Sequence, residues 1–266
     1  MLRVLKTQLH TKYTLSTKNL HSNLFLLSKS CFLDIKRLIF QNTMGSVDVQ
    51  DVWNRVNAVC FDVDSTVCID EGLDEFAAFC GVGEKVAEWT NKAMGGSVTF
   101  REALSERLKI IQPTRNQLSQ FLESHPPKLT PGVKALVELL HSRKVDVYLV
   151  SGGFKSIIEP IAKELNVPID NIYANRFKFY YDGSYAGFDE DAPTSESGGK
   201  PSVVKLLKEK CNYTVMAMIG DGATDMEASP PADLFIGFGG NKIRESVKSK
   251  APWFVMDFKT LIDALK

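Results

Sequence analysis

The run Ala58-Val59-Cys60-Phe61-Asp62-Val63-Asp64-Ser65-Thr66-Val67 constrains this chain more than any other. An apolar segment stops abruptly on two carboxylates and two hydroxyls. A short apolar run is how a strand of a parallel sheet reads when both its faces are buried, and open α/β folds bind ligands at the carboxyl ends of such strands. Acids placed there are costly unless a cation or proton chemistry offsets them. Unit charges ~4 Å apart repel by about 4 kcal/mol at an effective dielectric of 20. The run therefore predicts a divalent metal site with one carboxylate left to act as nucleophile.

Apolar, β-rich runs recur at residues 145–150, 215–219, 234–237 and 253–256, and helical spacing of apolar residues marks 132–142, 156–165 and 202–210. Strands alternating with helices predict an α/β fold, a doubly wound parallel sheet joined by right-handed crossovers. That core draws on residues 44–68 and 130–266. Residues 69–129 break the rhythm. Phe76/Phe79, Val86/Trp89, Phe100/Leu104/Leu108 and Leu118/Phe121/Leu122 mark four amphipathic pieces without a strand, as in a small helical cap inserted after the first strand. Alternation in 176–188 around Asp182-Gly183 predicts a hairpin.

Lys+Arg and Asp+Glu both total 32, but the balance is uneven. Residues 1–43 carry seven basic residues and one acid, leaving 25 basic and 31 acidic in the rest. A net-acidic body argues against nonspecific nucleic-acid binding. The leader is basic and rich in Ser and Thr, which predicts either an organellar transit segment, mitochondrial or plastid, or an upstream extension with Met44 as the usual start. Its apolar stretch, 24–33, is too short to span a bilayer, so no membrane association is expected. Five cysteines without a C-x-x-C pair point to free thiols in a reducing, cytoplasmic setting.

Two more strand ends carry polar groups. The run 145–150 leads into Ser151-Gly152-Gly153, whose amides and hydroxyl can form an anion nest or a capped tight turn. The run 215–219 leads into Gly220-Asp221-Gly222-Ala223-Thr224-Asp225, a second carboxylate cluster or a simple strand-to-helix turn. Lys200 sits at the start of a helix, where a cation is mildly unfavourable, so its position asks for a reason.

In order, Asp-x-Asp-x-Thr, strand-Ser-Gly, Lys and Gly-Asp-Gly-x-x-Asp resemble the haloacid dehalogenase superfamily over roughly residues 56–266. The resemblance implies that Asp62 attacks phosphorus and that Asp64 is the general acid and base. It implies that Ser151, Gly152, Gly153 and Lys200 hold the phosphate. It also implies one Mg2+ bound by the Asp62 and Asp221 carboxylates and the Asp64 carbonyl, with Asp225 close behind. The wording around Asp62 and Ser151, together with Glu71, Met94-Gly95-Gly96 and Phe100 through Arg107, is similar to the branch of that superfamily that hydrolyses O-phospho-L-serine, the last step of serine synthesis. On that resemblance Ser65, Glu71 and Arg107 contact the substrate. Glu71 takes its ammonium, and Arg107 its carboxylate through a forked pair of hydrogen bonds. Met94 and Gly95 close over it, and Asn175, Thr224 and Arg244 reach the phosphate region. Left to themselves, Arg107 and Glu71 also read as surface helix charges and Met94 as core filler. The rivals are a phosphatase for another small phosphomonoester, a phosphotransferase to an alcohol, and a non-catalytic relative. A homodimer is a weaker implication of the resemblance.

Overall fold

The structure, a computed structural model, describes residues 48–94 and 98–266; the side chain of Met94 is not among the described features. In chain order its strands are β1 (Ala58–Phe61), β2 (Asp146–Phe154), β3 (Ile172–Asn175), β4 (Phe177–Phe179), β5 (Tyr185–Phe188), β6 (Met216–Gly220), β7 (Leu234–Phe238) and β8 (Trp253–Val255). Six form one sheet in the order β3-β2-β1-β6-β7-β8, with every pairing parallel. The chain runs outward from β1 through β2 to β3, then returns to the other side of β1 with β6. That reversal is the switch point at which open α/β sheets bind ligands. Register places the site: Phe61 pairs with Leu149 on one side and Ile219 on the other. The residues after these three positions, Asp62, Val150 and Gly220, therefore lie level with one another at one end of the sheet.

All four residues of β1 are buried, which is why its sequence shows no alternation. Val59 and Phe61 join a core with Trp53 of α1 (Val49–Asn54). Ala58 and Cys60 face the opposite core. The helices that follow in the cap are α2 (Gly72–Phe79), α3 (Gly83–Met94), α4 (Phe100–Ile111) and α5 (Arg115–Ser124). Then come α6 (Val133–Ser142) and α7 (Lys155–Glu164), which pack on the Val59 side, and α8 (Gly199–Cys211) on the Cys60 side. Short α9 (Ala223–Met226), α10 (Glu245–Lys248) and α11 (Phe258–Asp263) complete the order.

The four-helix segment starts and ends at one neck. Cys68 bridges Leu129, Ile69 N–H donates to Lys128 C=O at 3.0 Å, and Thr130 N–H donates to Val67 C=O at 2.9 Å. Reciprocal capping boxes, Thr99 with Glu102 and Thr114 with Gln117, start α4 and α5. Leu73, Phe76, Val86, Leu104, Leu108 and Phe121 make the cap's own core, which continues onto Phe154 and Phe188. The β4–β5 hairpin thus lies under the cap, and Phe154 and Phe177 stack with ring centroids 3.7 Å apart.

Two differences from the sequence reading have local causes. β2 runs four residues beyond 150, because after a register shift Phe154 pairs with Asn175. The sequence reading also assigns no strand to β3, a four-residue element whose pairing to β2 comes from the tertiary fold. Cys60, Cys68, Cys80 and Cys211 are free thiols; burial pushes Cys60 and Cys68 up to about 12, so neither is a reactive thiolate. The expectations for residues 1–43, Cys31 and Met44 lie outside the described residues. Among the described residues no helix is long and apolar enough to cross a membrane.

Candidate active site

Asp62 follows β1, Asp221 follows β6, and Asp225 lies one helical turn on in α9. All three are buried, and one carboxylate oxygen from each lies within 4.8 Å of the others. Asp225 is drawn tight against the sheet: a Cβ at Gly220 would stand 2.2 Å from its Cγ, so only glycine lets that carboxylate approach. The Lys200 Nζ, from the first turn of α8, sits 2.7 Å from Asp62 Oδ1 and 2.5 Å from Asp225 Oδ1. This explains a cation at a helix start: it faces two buried carboxylates rather than solvent. Arg244 Nε donates to Asp221 Oδ2 at 2.8 Å.

Electrostatics follow from that crowding. Burial pushes the Asp62 carboxyl well above its ordinary range, Asp225 adds to the shift, and Lys200 opposes it. Burial, then Asp62, lift Asp221 to about 6 against the pull of Arg244. Burial disfavours the Lys200 ammonium, but Asp225 and Asp62 outweigh it, so the lysine stays charged. The cluster has only oxygen donors and more negative charge than Lys200 and Arg244 offset. Hard divalent cations such as Mg2+ suit that donor set.

Asp64 turns away from the cluster. Its Oδ1 accepts from Gly72 N–H at the start of α2, at 2.8 Å. Burial, then repulsion from Asp62 and Glu71, raise its carboxyl to about 7. Between Asp64 and the neck the backbone makes a tight turn in which Ser65 takes φ +57°, a left-handed conformation. Ser65 Oγ donates to Glu71 Oε1 at 2.8 Å, and the Lys242 ammonium lies 3.6 Å from the same oxygen.

Ser151 is fully buried in β2, and its Oγ accepts from Gly153 N–H at 2.9 Å. Gly152 lies beneath the cap: a Cβ there would stand 2.7 Å from Cζ of Phe100, the first residue of α4. Asn175 is fully buried, donates to Gly152 C=O at 2.8 Å and accepts from Thr194 Oγ1 at 3.0 Å, so it braces this turn from behind. Arg107 of α4 pairs with Asp74 of α2 through Nη2 at 2.7 Å. Its Nε is buried and makes no hydrogen bond among the described residues. Thr224 is exposed on α9. Gly95 and the Met94 side chain lie outside the described residues.

Three participants escape the sequence reading: Asp74, which holds Arg107; Lys242, which lies against Glu71; and Asn241, treated below. A signal existed for the last two, since Gly239-Gly240-Asn241 follows the apolar run of β7 at the same sheet edge as the other motifs.

Comparison with known proteins agrees with this geometry. The model of the haloacid dehalogenase-like hydrolase family matches residues 56–233. A phosphoserine phosphatase of Bos taurus is 56% identical over 82% of this chain and 97% of its own length. Among solved structures, a phospho-aspartyl intermediate analogue of phosphoserine phosphatase superposes with a TM-score of 0.68 at 25% identity, covering 79% of this chain and 99% of the other. DsGPDH of Dunaliella salina superposes with a TM-score of 0.73 at 34% identity over 82% of this chain, which spans only 37% of that longer protein. With the family model matching two thirds of the chain and a relative 56% identical over most of it, the chain belongs to the haloacid dehalogenase-like hydrolase family.

Proposed function

We propose that this chain is a Mg2+-dependent phosphatase that hydrolyses O-phospho-L-serine through an aspartyl-phosphate at Asp62, the step that completes serine synthesis. The observation that carries the reading is the convergence of Asp62, Asp221 and Asp225 around the Lys200 ammonium. In this reading Asp62, Asp221 and the Asp64 carbonyl hold one Mg2+, with Asp225 beside it. Bound there, the ion would supply positive charge to phosphate oxygens and relieve repulsion among the acids. A homodimer is carried over from the family resemblance.

The residues divide the chemistry as follows. Lys200, the Ser151 hydroxyl and the Gly152 and Gly153 amides hold the phosphate oxygens and offset their charge, as weak carboxylate nucleophiles require. An Asp62 oxygen forms a bond to phosphorus while the bond to the serine oxygen breaks. Asp64 gives its proton to that departing oxygen, a role supported by a carboxyl raised to about 7. In the second step Asp64 takes a proton from water, the water oxygen bonds to phosphorus, and the bond to Asp62 breaks. Inorganic phosphate leaves and both aspartates are restored.

Substrate choice rests on the cap. Arg107 offers a buried Nε donor that makes no hydrogen bond among the described residues, matched to a carboxylate, and Glu71 offers an acceptor for an ammonium. On the family resemblance Ser65, Asn175, Thr224 and Arg244 would line or brace the phosphate end, and Met94 and Gly95 would be the residues that close over the substrate. The relative from Bos taurus supports the same substrate. The test is phosphate release from a panel of phosphomonoesters with and without Mg2+. The expected result is metal-dependent turnover with O-phospho-L-serine preferred over O-phosphoethanolamine and p-nitrophenyl phosphate. Metal-independent turnover, or preference for an ester lacking the carboxylate, contradicts it.

A further inference from the structure

Asn241 lies between β7 and α10, and its side chain reaches the neck of the cap. Its Nδ2 is 2.6 Å from Thr130 Oγ1, 3.2 Å from the Ser65 carbonyl oxygen, 3.3 Å from that of Cys68 and 3.5 Å from that of Thr66. Thr130 Oγ1 donates its own proton to Thr66 C=O at 2.7 Å, so towards Asn241 it can only accept. All four neighbours are therefore acceptors. The amide must present its NH2 to them, which fixes its orientation by chemistry.

These acceptors lie on both crossings of the neck. Ser65, Thr66 and Cys68 belong to the chain entering the cap, and Thr130 to the chain leaving it. Ser65 also holds the left-handed conformation that a residue with a Cβ disfavours, directly after Asp64. Such a turn persists when surrounding contacts over-determine it. The Asn241 amide is a contact of that kind, reaching the turn from 176 residues away in sequence. The same loop sends Lys242 to Glu71 and Arg244 to Asp221.

We propose that Asn241 is a positioning residue for proton transfer: by clamping the turn at 63–67 to Thr130 it aims the Asp64 carboxyl at the leaving oxygen. The inference rests on the reading of Asp64 as general acid. It concerns the phosphorylation step, in which the Asp64 proton moves to the departing oxygen as the Asp62–phosphorus bond forms.

The test uses two aryl phosphates that both lack an ammonium and a carboxylate, so serine recognition does not enter. Phenolate leaves poorly without a proton; 2,4-dinitrophenolate leaves well without one. Asn241→Leu removes the donors at similar size. It is expected to lower kcat/KM for phenyl phosphate about tenfold or more, and that for 2,4-dinitrophenyl phosphate by less than about threefold. Thr130→Val should reproduce the split, and Thr130→Ser, which keeps the hydroxyl, should abolish it. Asp64→Asn run in parallel should show the same split. Equal losses on both esters for Asn241→Leu, or no loss on either, overturn the inference, while a split in Asp64→Asn leaves the reading of Asp64 standing. No split in Asp64→Asn overturns that reading and the inference with it. If Asn241→Leu does not fold, the Thr130→Val and Thr130→Ser pair decides by the same criterion.

Discussion

Removing the Lys200 ammonium would leave Asp62 and Asp225 facing each other in a buried site. Breaking a buried pair from one side costs about 3–5 kcal/mol, because the charges left behind are uncompensated. Lys200→Met is therefore expected to lower Tm by roughly 6 °C or more in metal-free buffer and to abolish turnover, read by differential scanning calorimetry and phosphate release. A different residue tests recognition. Arg107 spends one guanidinium nitrogen on Asp74 and keeps Nε buried and free of hydrogen bonds among the described residues. Losing a charge-assisted hydrogen bond costs about 1.5–3 kcal/mol, so Arg107→Ala should raise KM for O-phospho-L-serine roughly 10–100-fold. The KM for p-nitrophenyl phosphate should stay within about threefold of its original value. Equal rises would remove Arg107 from the carboxylate role. Asp62, Ser151 and Asp221 stood out in the sequence because each follows an apolar run at a predictable sheet edge, and Lys200 because a cation is disfavoured at a helix start. Asp74 and Asn241 were not, since what they touch depends on how helices and loops fold back.

At the scale of elements, one close contact between cap and core is Phe100 on Gly152. A Cβ at Gly152 would press to 2.7 Å from the Phe100 ring and must push α4 away or tilt the ring. Gly152→Ala is expected to lower kcat about tenfold or more, and adding Phe100→Ala should recover part of that loss, a coupling that independent sites do not show. Steady-state kinetics of the two single variants and the double variant measure it. The strands β1, β6 and β7 were readable because burial on both faces leaves a continuous apolar run. β3 was not: it has four residues, and its partner is chosen by the returning chain rather than by its own pattern. The end of β2 was misread because Gly-Gly signals a turn locally, whereas pairing of Phe154 with Asn175 extends the strand.

For the molecule as a whole, the cluster trades stability for function. Asp64 and Asp221 have carboxyls raised to about 7 and about 6 when folded, above the ordinary carboxylate range. Stability from a raised group is complete below the unfolded pKa and is lost as pH climbs through the folded one. The metal-free protein should therefore lose stability from these groups between about pH 4 and 7. Mg2+ favours the ionised acids, so its stabilising effect must grow in the same direction. Thermal melts should show a larger Mg2+-induced rise in Tm at pH 8 than at pH 5.5; a rise independent of pH contradicts this account. The parallel α/β sheet was implied by the alternation of apolar runs with helical patterns, though not its strand order, which includes the unread β3. What was not implied is the set of contacts by which the loop at 239–244 links the neck, Glu71 and Asp221, since they form only once the sheet is assembled. The covalent step can be seen directly by mixing the enzyme with Mg2+ and O-phospho-L-serine labelled in its phosphate, quenching in acid, and mapping the acid-stable, base-labile label by peptide mass spectrometry. Label on the peptide carrying Asp62, absent from Asp62→Asn, is the expected result; a labelled residue elsewhere, or turnover with no labelled protein under single-turnover conditions, would contradict the account.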